Sequence, residues 1–252
     1  MRIASLGSGS QGNGTVIDDG ETRLLIDAGF SLKEITSRLK RIDLTPADIT
    51  AVLVTHEHAD HAHGVGPLVR KFSLPLYLTH GTYRALRLGL FPSLHLINPH
   101  RSFQIGGFEV DPVIVPHDAR EPCQFVFRSG DDCLGVLTDL GHISSHVVDR
   151  FSCCHGLLLE CNHDLNMLRN GPYPERLKRR VGGDLGHLNN HQAAALLSRT
   201  DLSRLRLLVL SHLSERNNRP DLAQGAVTPV LAGWRGELVT AAQDTGFSWR
   251  DV

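Results

Sequence analysis

The sequence predicts an α/β protein in which mixed sheets are layered with helices. Three observations carry that reading. Five short runs rich in Val and Leu, at 51–55, 113–116, 134–138, 156–159 and 205–211, are apolar almost throughout. Runs without polar alternation mark strands covered on both faces, so helices must lie over the sheets. Helical periodicity falls between them, at about 64–72, 174–181 and 190–199. Finally, the runs lead into residues able to bind metal: His56, His117, Asp139, Glu160 and His212. Sites are built where strand carboxyl ends open into a crevice, and a random scatter of histidines would not meet that position repeatedly.

The other elements follow in order. Residues 15–17 and 23–27 read as a hairpin across Asp18-Asp19-Gly20. Ser31 with Glu34 fits a capping box that opens a helix to about Arg41. Thr45-Pro46-Ala47-Asp48 reads as a second helix start, with Pro at the first helical position. The glycine-rich stretch from Gly7 to Gly14 admits two readings, a phosphate cradle of backbone N–H groups or a tight turn between strands. The run Arg176-Leu177-Lys178-Arg179-Arg180 is likewise either a phosphate contact or a solvated helix face, with Leu177 and Val181 as its apolar stripe. No repeat, low-complexity tract or linker interrupts the 252 residues, which predicts one domain over 1–252.

Composition narrows the function classes. A formal charge of −1 excludes bulk attraction to nucleic acid, so any such binding is local. Five cysteines, with no C-x-x-C, argue against a disulfide framework and for a reducing cytoplasm. No apolar run approaches the ~20 residues of a membrane span, and the N-terminal stretch meets glycine too early for a signal peptide. No protein partner is readable. The 15 histidines direct attention to metal or proton chemistry.

The sharpest signal is His56-Glu57-His58-Ala59-Asp60-His61, directly after an apolar run. A loop leaving a strand end can aim His56 and His58 to one side and Asp60 and His61 to the other. Imidazole with carboxylate suits Zn²⁺, Mn²⁺ or Fe²⁺. Such a loop cannot fill a coordination sphere alone, so distant residues must complete it. His117, Asp139 and His212 are the candidates.

The pattern H-x-H-x-D-H-x-x-G is filled by His56, His58, Asp60, His61 and Gly64, and a later His, Asp and His follow in order. On these residues the chain resembles the metallo-β-lactamase superfamily. That resemblance implies a four-layer αββα sandwich with two divalent metal ions in the cleft between mixed sheets. It assigns His56, His58 and His117 to the first ion, Asp60, His61 and His212 to the second, and Asp139 to both. The segments from Gly7 to Asn13, PHDAREP (116–122), LTDLGH (137–142), ECNHD (160–164), GHLNN (186–190) and SHLSERNN (211–218) resemble the YycJ/WalJ subfamily, described as DNA exonucleases acting on duplex ends. More distant tRNase Z and phosphodiesterase branches share the positions of His187 and His212. The oxygen-reducing diiron branch carries Glu where this chain has His58, which favours hydrolysis over redox chemistry.

Two cations about 3.5–4 Å apart can clamp the attacking and leaving oxygens of a phosphodiester and bring the pKa of water toward about 7. His187 is not needed as a ligand. It is expected to contact the phosphate and protonate the leaving oxygen, with Glu160 or Asp164 accepting its other ring proton. His163 is a second candidate for substrate contact. Asp60, His187, Glu160 and His163 are thus the residues expected to act in the reaction. The competing readings are a small-molecule hydrolase on the same metals (cyclic phosphodiester, lactone or thioester) and a non-catalytic nucleic-acid-binding scaffold. The complete ligand set speaks against the scaffold. The other eight histidines read as structural or surface residues.

Overall fold

The computed structural model describes residues Met1–Val252. Its strands, in chain order, are β1 (Arg2–Gly7), β2 (Gly14–Asp18), β3 (Arg23–Ile26), β4 (Ala51–Leu53), β5 (Leu76–Thr79), β6 (Leu94–Ile97), β7 (Phe103–Ile105), β8 (Phe108–Ile114), β9 (Cys123–Ser129), β10 (Asp132–Leu137), β11 (Gly156–Glu160), β12 (Leu207–Ser211), β13 (Glu237–Thr240) and β14 (Phe247–Asp251). The helices are α1 (Leu32–Lys40), α2 (Ala59–Ala62), α3 (Val65–Phe72), α4 (His80–Leu86), α5 (Ser145–Phe151), α6 (Leu165–Asn170), α7 (Glu175–Val181), α8 (Asn190–Arg199) and α9 (Pro220–Val227). They build two seven-stranded sheets, ordered β14-β1-β2-β3-β4-β5-β6 and β13-β12-β11-β10-β9-β8-β7. Both are mixed: β1–β3 and β7–β10 pair antiparallel, whereas β3–β6 and β10–β13 run parallel.

Three apolar cores show the four-layer αββα order. Ile17, Leu24 and Leu53 of the first sheet meet Phe108, Phe125, Val136 and Leu158 of the second in the central core. Val16, Leu25 and Val52 point the other way, onto Ile35 and Leu39 of α1 and Leu68 and Val69 of α3. Leu157 and Leu159 flank Leu158 on the opposite face of β11 and pack with Val147 and Phe151 of α5 and Leu196 of α8. Successive strand residues therefore feed two cores, the physical reason these runs show no polar alternation. No helix is long and apolar enough to cross a membrane.

The capping box at Ser31 and Glu34 is present and opens α1. The expected second helix at Thr45 is one turn of 3-10 helix, Pro46–Asp48, although Asp48 reciprocates the cap. It stops because Ile49 is extended and the chain enters β4 almost at once. The run at 113–116 overlaps only the last two residues of a longer strand, β8, that contains Pro112, and Val115 and Pro116 lie beyond its end. Pro112 pairs with Phe125 of β9, while β7 reaches only as far as Val110. Its missing N–H therefore faces an unpaired edge.

Candidate metal centre

The expected ligands and Glu160 stand at strand carboxyl ends or on the loop and short helix that follow β4. His56 follows β4 by three residues, His58 caps α2, and Asp60 and His61 are on α2 itself. His117 follows β8, Asp139 follows β10, Glu160 ends β11 and His212 follows β12. Asp139 and His212 both have left-handed backbones, φ 53°, as does Asp27 after β3, φ 61°. Asp and His adopt that region more readily than most residues. Here it turns the side chain off the strand direction at each sheet's end.

The side chains converge in two groups. In the first, His58 Nδ1 lies 3.0 Å from His56 Nε2 and 3.2 Å from His117 Nε2. In the second, Asp60 Oδ2 is 3.5 Å from both His61 Nε2 and His212 Nε2. Asp139 sits between them. Its Oδ2 is 3.2 Å from His61 Nε2, and its Oδ1 is 3.6 Å from His212 Nε2 and 3.9 Å from His117 Nε2. Each group's donor atoms lie within 4.8 Å of one another.

The far sides of the His56, His61, His117 and His212 rings are each backed by a partner. His61 Nδ1 is 2.7 Å from Asp27 Oδ2, and His56 Nδ1 is 3.0 Å from the Thr55 hydroxyl, which itself bonds Asp27. His117 Nδ1 donates to the Gly186 carbonyl at 3.0 Å. His212 Nδ1 is 3.2 Å from Glu160 Oε1. In these four rings the contacts place a proton on the outer nitrogen and turn Nε2 inward, whereas His58 turns Nδ1 inward.

Two inward atoms, Asp139 Oδ2 and His212 Nε2, are buried without a hydrogen-bond partner. The 3.2 Å approach of His61 to Asp139 is an ion-pair contact and lacks hydrogen-bond geometry. Unpaired buried polar atoms cost roughly 1–3 kcal/mol each, and a cation between the groups would remove that cost. Three imidazoles facing one another, with carboxylates alongside, make a donor set suited to divalent metal.

The electrostatics agree. Burial pushes the His56 and His117 rings to low pKa, favouring neutral donors. Burial opposes charge on His212 as well, but the Asp139 carboxylate outweighs it and pushes the ring up to about 10. His61 is raised for the same reason. Asp60 and Asp139 feel burial upward, yet the adjacent His61 and His212 rings hold both well below the usual carboxylate range. Positive charge is thus already favoured between these carboxylates, and metal entry would displace protons.

His187 borders both groups, its ring centroid 5.2 Å from those of His117 and His212. Its Nδ1 is 2.8 Å from Glu160 Oε1, and Glu160 Oε2 accepts from the Leu188 and Leu140 N–H groups. Burial raises the Glu160 carboxyl, but His187 and the hydrogen bonds bring it down to about 2. Asp164, the alternative partner, is occupied as the N-cap of α6. His163 departs from the expectation of substrate contact. It is fully buried, outside all the ligand groups, and burial pushes its ring down to about 4.

Several site residues were not foreseen. Asp27 obeys the same rule as the others, an ionisable residue after an apolar run, and could have been found by it. Asn13 and Ser8 resolve the glycine-rich loop as a brace: Asn13 N donates to the Asp60 carbonyl at 2.7 Å, and Ser8 Oγ accepts from His212 N at 2.9 Å. Gly29 is required beside them, because a β-carbon there would collide with the Asp60 carbonyl. Asn162 holds the His212 carbonyl at 3.0 Å. Nothing in the spacing of the chain marks Asn13 or Asn162 for these roles.

Comparison with known proteins places this geometry. The profile of the β-lactamase superfamily domain matches residues 22–213. The chain is 39% identical over 238 residues to the exodeoxyribonuclease WalJ of Streptococcus pneumoniae, covering 92% of this chain and 88% of that protein. It is 35% identical over 237 residues to the exodeoxyribonuclease YycJ of Bacillus anthracis, covering 92% and 89%. Among solved structures, the metallo-β-lactamase fold protein YhfI of Bacillus subtilis superimposes with a TM-score of 0.77 at 17% identity, over 99% of this chain and 98% of that one. Human tRNase Z, short form, gives 0.67 at 18% identity over 100% and 99%, a likeness of fold alone. The chain therefore belongs to the metallo-β-lactamase superfamily, in the family of WalJ and YycJ.

Proposed function

We propose that this protein is a dinuclear metal-dependent hydrolase that removes nucleotides from DNA ends. The observation that carries the reading is Asp139, whose two oxygens face both histidine groups while one of them lacks any hydrogen-bond partner. The 35–39% identity to proteins named exodeoxyribonucleases supports DNA as the substrate. His56, His58 and His117 would hold one ion, Asp60, His61 and His212 the other, and Asp139 both. Zn²⁺ and Mn²⁺ suit these donors, and Fe²⁺ is also compatible. When bound, such ions supply Lewis acidity that activates water and stabilises charge on phosphate oxygens. Five free thiols favour the cytoplasm as the setting.

The chain's own residues divide the remaining work. His187, fixed through Nδ1 by Glu160, keeps Nε2 for the substrate and gives its proton to the leaving oxygen. Glu160 positions that ring and the His212 ring together. Asp27, Thr55 and the Gly186 carbonyl keep the other imidazoles in register.

Purified protein with Mn²⁺ or Zn²⁺ should shorten 5′- and 3′-labelled linear DNA from an end and leave a covalently closed circle intact. Intact labelled ends alongside hydrolysis of a lactone or thioester would overturn the nuclease reading and install a small-molecule hydrolase. Tight DNA binding without cleavage under either metal would install a scaffold.

A further inference from the structure

The basic helix α7 stands at the mouth of the metal centre. Its last turn is bonded into the loop that bears the site: His187 N donates to the Val181 carbonyl at 2.8 Å. A β-carbon at Gly186 would collide with the Arg180 and Val181 carbonyls, so helix and loop touch directly there. From this turn Arg180 reaches Asp118, Nε to Oδ2 at 2.6 Å and Nη2 to Oδ1 at 3.3 Å. The same Asp118 carboxylate lies 3.8 Å from His58 Nε2 and 3.6 Å from His117 Nε2.

Exposure maps the mouth. The His56, His61, His117 and His212 rings are almost completely buried. Around them, His58, Asp60, Asp118 and His187 are 26, 23, 29 and 19% exposed, and Arg180 is 55% exposed. Of these five, Arg180 alone carries a permanent positive charge. The other four are imidazoles and carboxylates, a poor reception for a polyanion.

We propose that Arg180 binds a backbone phosphate next to the scissile bond, exchanging Asp118 for it, and that Arg176 continues the track outward. The proposal rests on the nuclease reading and names how that site holds its substrate. An Arg–carboxylate pair exposed on one side is weak, so the exchange costs little. Guanidinium matches a phosphate bidentately as it matches Asp118. Arg176 is exposed and lies one helical turn away on the same face, at i,i+4 spacing. Asp118 then acts as a place-holder that keeps the guanidinium aimed at the mouth between substrates.

The test uses the full chain and fluorescein-labelled duplex DNA, with anisotropy read in EDTA between 50 and 200 mM salt. Arg180→Gln should weaken binding about tenfold and flatten log K against log [salt] by about 0.9, the share of one phosphate contact. In the metal-loaded enzyme the DNA KM should rise in step while kcat changes less than about twofold. Arg180→Lys should restore the salt slope, because the charge returns. Arg235→Gln makes the same charge change before β13, at the opposite end of the sheet from the centre, and should match wild type. Asp118→Asn should tighten binding, and the gain should vanish in the Asp118→Asn/Arg180→Gln double variant. An Arg180→Gln protein of wild-type melting temperature, slope and KM would sink the proposal and leave the nuclease reading standing. Wild-type protein that neither binds nor cuts DNA would sink both.

Discussion

The two sheets contribute to the centre in opposite ways. The first sheet delivers four side chains, His56, His58, Asp60 and His61, from one loop and one short helix after β4. The second delivers His117, Asp139, Glu160 and His212 singly, from the ends of β8, β10, β11 and β12, four strands that run the same way, with β9 between the first two. A single loop sets its ligands by local geometry and needs outside bracing, which Asp27, Asn13 and Gly29 supply. Strand ends are set by register, and β10, β11 and β12 are in parallel register as far as Glu160 and Ser211. Separation in sequence is therefore compensated by rigidity of the sheet, with two left-handed residues aiming the last step.

Asp139 lies between the two histidine groups, so its loss should have the largest effect. Asp139→Ala should reduce exonuclease activity to background and lower the metal content by more than one site's share, read by elemental analysis. Loss confined to one ion would show that Asp139 does not link the two groups.

His187 separates chemistry from metal binding. His187→Ala should retain near-normal metal content and slow turnover by roughly 10²–10⁴-fold. A metal-depleted variant would instead assign His187 to coordination.

The supporting carboxylates should divide along the same line. Asp27→Asn touches only the first sheet's half, so metal affinity should fall about 10–100-fold while turnover at saturating metal recovers. Glu160→Gln should lose a similar factor and not recover, since the same carboxylate lies against both His212 and His187, the proposed proton donor. Metal titrations of activity distinguish the two, and equal recovery would remove Glu160 from the catalytic step.

The smallest effect should come from outside the centre. Ser31→Ala removes the cap of α1 on the outer face of the first sheet and should cost about 1 kcal/mol of stability. Thermal unfolding should register it, with metal content and activity unchanged.

Legibility followed the same division. The convergence of His56 to His61 could be read because these metal-capable residues are close in sequence, and that of His117, Asp139 and His212 because each closes an apolar run. Glu160 was legible by that rule too, and its pairing with His187 was one of two partners considered. Asp27 obeys the rule and was passed over because it closes a hairpin strand. The run around Arg180 presented only charge at helical spacing, which cannot distinguish a solvated face from the rim of a cleft. His163 looked like its neighbours in ECNHD, but the fold sealed it inside.

Local sequence by itself determined which residue types stand at strand ends, where strands are covered on both faces, and where helices begin. Periodicity and capping act over a few residues, so they survive reading without coordinates. Tertiary structure alone decided which ring nitrogens face inward, which carboxylates back them, and that α7 borders the mouth. Those depend on contacts between segments tens to more than two hundred residues apart, such as Ser8 with His212. No local pattern encodes them, because they arise only when the two sheets pack and their ends are brought to one edge.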